Sequence, residues 1–154
     1  MTTRAALALR AAALAGAALI ASGCAVLSPV QTQYDYQPAD GSRLDTGDLE
    51  LRNLVVVVAE KGGEGVLVGQ AVNPAAQAVE ASFQLGTGTA AKRTVPASSG
   101  GTLSEGSSSV LLSDVPGGPG EVVQLTVTTP ASGANLVLVP VLAPTGYYAQ
   151  FDRS

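Results

Sequence analysis

Five carboxylates, Asp35, Asp40, Asp45, Asp48 and Glu50, crowd into one short segment and could supply hard oxygen ligands for Ca²⁺ or Mg²⁺. Their spacing follows no EF-hand loop, and carboxylates near turns are ordinary solvated surface, so the expectation is a polar segment rather than a metal site. The same scarcity limits catalysis. The chain has no His, no Trp, one Cys and one Met, which removes the usual general base and most soft metal ligands. Ser98, Ser99 and Ser107 to Ser109 lie in low-complexity loops, and the only bases a Ser–Lys dyad could use, Lys61 and Lys92, sit in or beside turns. Gly62-Gly63-Glu64-Gly65 and Gly86-Thr87-Gly88 read as turns, because neither leads into the Lys-Ser/Thr and helix that a phosphate loop requires. Paired carboxylates for glycoside hydrolysis would need an aromatic-lined sugar cleft, and aromatics are only 4% of the chain. A non-enzymatic protein without a cofactor is expected.

The single cysteine carries the clearest chemistry. Arg4 and Arg10 precede an unbroken small-apolar run, Ala11 to Ala21, which ends in Ala21-Ser22-Gly23-Cys24. The run has the length of a signal-peptide core and falls short of the roughly 20 residues of a spanning helix. Small residues directly before a Cys resemble the bacterial lipobox, although its first position is usually a larger apolar residue than Ala21. In that motif the thiol takes a diacylglyceryl group and cleavage follows Gly23. With no second cysteine to pair with, a disulfide framework is excluded. Two acyl chains on Cys24 would anchor the protein stably without a transmembrane helix, on the outer face of the cytoplasmic membrane. Loss of Arg4 and Arg10 leaves Arg43, Arg52, Lys61, Lys92, Arg93 and Arg153 against 12 acidic residues, a balance that disfavours a nucleic-acid partner and electrostatic adhesion to an anionic leaflet.

These groups must be positioned by whatever folds after the signal. The expected organisation is a lipoprotein signal peptide over 1–23, a lipidated Cys24 and flexible tether over 24–47, and a β domain over 48–154. Leu49 to Ala59 begins as an alternation, with Leu49, Leu51, Val55 and Val57 on one side, and passes into the run Leu54 to Val58, which suits a strand buried on both faces. Val66 to Val72 follows across a glycine-rich turn as its hairpin partner, and Asn73-Pro74 stops it. Ala78 to Leu85 and Glu121 to Thr129 alternate cleanly, Lys92 to Pro96 and Ser107 to Ser113 are weaker strands, and Asn135 to Leu142 contains Pro140, a mark of an edge or a bulge. About seven short strands separated by Gly/Pro/Ser/Asn turns predict an all-β, antiparallel sandwich. Asn53, on the side of Leu51 and Val55, is read chiefly as a hydrogen-bonded group that fixes register, with a ligand contact as the alternative. Tyr147, Tyr148 and Phe151 are the main aromatic cluster and either seal one end of the core or meet a partner.

Tyr34 to Gly41, Gly47 to Val57 and Gly65 to Asn73, with Pro119-Gly120-Glu121-Val122-Val123, Val139-Pro140-Val141 and Tyr147-Tyr148, resemble the actinobacterial LpqE-type envelope lipoproteins. That group is similar in turn to the periplasmic copper chaperones of the PCuAC type. The resemblance implies an immunoglobulin- or cupredoxin-like sandwich and an extracytoplasmic, membrane-anchored binding or assembly module that works through envelope protein or lipid contacts. A copper or other metal chaperone of the PCuAC superfamily is the alternative. The chaperones hold Cu(I) with His and Met, whereas this chain has no His and its only Met is Met1, within the signal. Cys24 would have its sulfur blocked by lipid, so copper carriage is not expected to transfer.

Overall fold

The structure, a computed structural model, describes residues 40–154. The signal peptide, Gly23, Cys24, Asp35 and the first part of the expected tether lie outside the described residues. Among the described residues nine strands form: β1 Ser42–Asp45, β2 Glu50–Val57, β3 Gly65–Asn73, β4 Val79–Leu85, β5 Ala91–Val95, β6 Ser99–Thr102, β7 Leu111–Leu112, β8 Val122–Thr129 and β9 Gly133–Leu142. They run in the order β5-β4-β8-β9-β2-β3-β6, with β1 added to β2 and β7 to β3. The product is an all-β, barrel-like sandwich that almost closes, as the alternating patterns predict.

One joint in it is parallel rather than antiparallel. From Gly133 to Pro140, β9 pairs antiparallel with β8, and then Val141 and Leu142 pair in parallel with Val56 and Val57 of β2. Pro140, which has no N–H to give to a ladder, stands where β9 leaves one sheet for the other. At the opposite end of the order, the Arg93 guanidinium on β5 donates to the carbonyls of Thr102, at 3.1 Å, and Ser108. It thereby ties β5 to the β6 side of the seam.

Two of the strands replace segments read as irregular. Ser42–Asp45, assigned above to the tether, pairs with β2, so the sheet starts inside 24–47 rather than at 48. Ser99–Thr102, read as a loop, pairs with β3. Neither carries the apolar alternation by which a strand is recognised, since Ser-Arg-Leu-Asp offers one Leu and Ser-Gly-Gly-Thr offers none. Conversely, Ser107 to Ser113 yields a 3-10 turn over Gly106–Ser108 and only two residues of strand.

The middle of β2 departs from simple alternation. Its register with β3 shifts between Arg52 and Val55, where Asn53 takes φ 53°, the left-handed conformation that Asn tolerates better than most residues. A bulge adds one residue and reverses which face the following side chains take. Leu49 and Leu51 therefore lie in the main core, and so do Leu54, Val56 and Val58, while Val55 and Val57 turn to the other face. The expected grouping of Leu49, Leu51, Val55 and Val57 is corrected accordingly. The expectation of a strand buried on both faces holds, because Leu54, Val55, Val56 and Val57 are all 0% exposed. Asn53 Oδ1 accepts the Gly41 N–H at 2.9 Å, which is the structural role read for it. The fit tolerates only glycine at position 41, where a Cβ would stand 2.5 Å from the Asn53 carbonyl carbon.

Candidate functional site

The described members of the acidic segment, Asp40, Asp45, Asp48 and Glu50, do not converge. Asp45 caps its own turn by accepting the Gly47 N–H at 2.8 Å, and Glu50 pairs with Arg52 beside it on β2. Asp48 Oδ1 accepts the hydroxyls of Thr46 at 2.7 Å and of Thr129 at 2.9 Å, the latter from the end of β8, and so joins the two sheets. Among the described residues no three His, Cys, Asp or Glu side chains come together as a metal site would need. Asp40, Asp45 and Asp48 are thus separate turn and strand-end groups.

Burial alone would raise the Asp48 carboxyl. The hydrogen bonds from Thr46 and Thr129 and from the amides of Asp48 and Ala131 outweigh it and hold the group below its ordinary value of 3.8. A carboxyl lowered in the folded state contributes stability that is present above its unfolded pKa and is lost as pH falls through the folded one. Asp48→Ala should therefore cost about 1 kcal/mol at pH 7, because the hydroxyls of Thr46 and Thr129 lose a charged acceptor and keep only the Leu49 carbonyl at 3.0 Å and Ser132 Oγ at 2.8 Å. The gap from the parent protein should narrow in urea titrations carried out below about pH 4.

The serines and lysines do not meet either. Lys92 Nζ pairs with Glu80 at 3.0 Å across β4 and β5, and Lys61 is exposed in the β2–β3 turn. Ser99 Oγ donates to the Pro96 carbonyl and Ser109 Oγ to the Gly106 carbonyl, each at 2.8 Å. These hydroxyls close turns.

The aromatic cluster is the most developed feature. Gly146–Phe151 forms a 3-10 helix that lies over the second face of β2 and β3. There Tyr148 and Phe151, with Leu142, pack on Val55, Val57, Val66 and Val68. The cluster covers the outer face of this sheet instead of closing an end of the main core. The clue in the sequence was the run Leu54 to Val58, which needs apolar cover on both sides. Tyr147 meets Tyr148 edge-on with centroids 5.3 Å apart, and Phe151 at 6.4 Å, in the geometry aromatic pairs favour. It nevertheless remains 73% exposed. Burial, with the charge of Asp40 and the neighbouring Tyr147 adding to it, raises the Tyr148 phenol above its usual range. Beside the cluster a cleft of about 450 Å³ is bordered by Tyr147, Gln150, Phe151, Arg153 and, from the β6 side, Thr102 and Glu105. Arg153 also borders a second cleft of about 380 Å³ with Glu60 and Glu64. The pairing of an exposed aromatic, a cation and a shallow polar cleft suits contact with another macromolecule better than chemistry on a small molecule.

No helix among the described residues is long and apolar enough to cross a membrane. No family model matches the chain, and no curated protein matches it. Solved structures do. The apo PCuAC domain from PmoF1 superposes with a TM-score of 0.56 at 15% identity, covering 67% of this chain and 100% of that one. The apo PCuAC domain from PmoF2 gives 0.53 at 17% identity, over 68% and 98%. The copper-bound form of the PmoF2 domain gives 0.51 at 16% identity, over 67% and 99%. At these identities the likeness establishes the fold, and a shared fold does not carry a shared site.

Proposed function

We propose that the chain is a non-enzymatic envelope lipoprotein of the LpqE type, a binding or assembly module held by lipid on Cys24 at the outer face of the cytoplasmic membrane, with cleavage after Gly23. The C-terminal aromatic cluster is its contact surface for an envelope protein. The observation that carries this is Tyr147, an aromatic ring held by Tyr148 and Phe151 and yet 73% exposed beside a cleft. Burial of such a ring is a common source of binding energy at protein interfaces. Crosslinking in the native host, with a photoreactive residue at Gln150, should capture a discrete envelope neighbour, and Tyr147→Ala should reduce that capture at least tenfold, about 1.4 kcal/mol. Equal capture by the two forms would remove the cluster from the contact. The anchor is tested separately, since radiolabelled lipid should enter the parent protein and not Cys24→Ala.

A metal chaperone is the second reading, and the PCuAC structures favour it more directly than anything favours the first, one of them being a copper-bound domain. The composition weighs against ion carriage here. Cu(I) prefers imidazole, thioether and thiolate ligands, and this chain has no His, one Met at position 1 and one Cys at position 24. Titration of residues 25–154 with Cu(I) against a competing chelator should give no affinity in the sub-micromolar range. Binding that tight would put the chaperone reading first.

A further inference from the structure

The outward face of the β8–β9 hairpin carries no charged side chain and is more aliphatic than a solvated sheet face normally is. Its register sets Val122, Gln124, Thr126 and Thr128 of β8 opposite Pro140, Leu138, Leu136 and Ala134 of β9, eight positions without a charge. Val122, Leu136 and Leu138 are 60%, 61% and 63% exposed. They form one continuous row, because Leu136 and Leu138 are next neighbours on the same face and Val122 lies diagonally across from Leu138. Charges stand at its borders, with Glu121 before β8 and the Glu80–Lys92 pair across β4 and β5.

The entering chain passes from the neighbourhood of Tyr148, whose phenol feels the charge of Asp40, to the edge of this row, which it meets at Ser42. The Ser42 hydroxyl donates to the Leu138 carbonyl, and the described chain begins two residues earlier, at Asp40. Residues 25–39 reach at most about 50 Å when fully extended and about 20 Å as a flexible chain. A lipid on Cys24 would therefore hold the row near the bilayer at an effective concentration in the millimolar range. An anionic leaflet repels a chain that keeps Arg43, Arg52, Lys61, Lys92, Arg93 and Arg153 against 12 acidic residues least where it presents no carboxylate.

We propose that the Val122–Leu136–Leu138 face rests on the bilayer surface, with its aliphatic side chains in the interfacial layer and the aromatic cluster on the outer face of the other sheet turned away from the membrane. The inference rests on the lipid-anchor reading.

The absence of Trp allows single-Trp reporters. Lipidated full-length protein carrying Leu138→Trp, reconstituted in phosphatidylcholine/phosphatidylglycerol vesicles with dibrominated acyl chains, should show blue-shifted emission quenched at least twofold. Tyr147→Trp should keep its emission. Adding Leu136→Glu to the Leu138→Trp protein should restore emission at an unchanged urea midpoint, since residue 136 is exposed. Unquenched Leu138→Trp in protein whose Cys24 lipid is confirmed by mass overturns the docking and leaves the anchor standing. Equal quenching of the two reporters overturns the orientation. A blue shift already present without lipid, accompanied by a doubled mass in solution, assigns the face to a second copy of the chain and overturns the proposal. Unmodified Cys24 removes the anchor, and the docking with it.

Discussion

Asn73→Asp should destabilise the domain by about 4 kcal/mol at pH 7 and should recover part of that loss as the pH is lowered toward 4. Asn73 ends β3 and is 1% exposed. Its Nδ2 donates to the carbonyls of Gln77 at 2.8 Å, Val95 at 3.1 Å and Pro96 at 3.0 Å, and its Oδ1 accepts the Ala75 N–H at 2.9 Å. One side chain thus fixes the β3–β4 connection and ties it to the end of β5, across the two sheets. An ionised Asp keeps the Ala75 bond, loses every donor and turns a buried negative charge toward three carbonyl oxygens. Such a carboxyl titrates above its unfolded value, so the penalty is complete above the folded pKa and disappears below the unfolded one. Urea midpoints of the two proteins should therefore draw together between pH 7 and pH 4. A gap that stays constant over this range would mean that the side chain escapes to solvent and that the tie is dispensable.

In the sequence Asn73 stood out as half of Asn73-Pro74, a strand stop, and as the end of the Gly65 to Asn73 segment. That reading gave the place and missed the role, because the three carbonyls it serves come from residues up to 23 positions away. The same limit recurs through the fold. The alternation in β4 and β8 sufficed to place Val79, Ala81, Phe83 and Leu85, and Val123, Leu125 and Val127, toward the interior, since a strand with one face in solvent writes its orientation directly into the chain. In β2 the alternation before Asn53 gives way to the continuous run Leu54 to Val58, and a run apolar at every position hides the exchange of faces that the bulge makes there. β1 and β6 obtain their order from neighbours, Leu51 and Leu54 for one and the β3 backbone for the other, and so left no apolar signature. For the candidate site, the aromatic residues were legible as a cluster. Their position over a second apolar face was not, since it depends on which way Val55 and Val57 point.

The chain also separates a fold from the chemistry carried on it. A sandwich similar to the PCuAC domains can be built with a Val-rich core and no His or Met in the described residues, because the core residues that close the sheets are independent of any side chain that would hold an ion. On the proposed reading such a scaffold keeps two opposed outer faces, one aliphatic and one aromatic. That arrangement lets a small domain touch a surface and a partner at once.

Removal of Gly146–Ser154 should show how far the aromatic face is built into the fold. Tyr148 and Phe151 are the cover, together with Leu142, over Val55, Val57, Val66 and Val68, of which the first three are 0% exposed. Without the 3-10 helix those valines keep their neighbours in the sheet but lose the layer above it. At about 1 kcal/mol for each partly re-exposed side chain the loss is on the order of 4 kcal/mol, a large share of what a domain of this size has. The truncated protein should have a lower urea midpoint, bind a hydrophobic dye and self-associate, as an uncovered apolar sheet face does. Tyr147→Ala should do none of these, its unfolding free energy staying within about 0.5 kcal/mol of the parent, because this ring is 73% exposed. The comparison divides the cluster into a part that holds the sheet and a part that is free to be used. If Tyr147→Ala destabilised the domain as much as the truncation, the exposed ring would be structural, and the contact surface would have to be sought elsewhere.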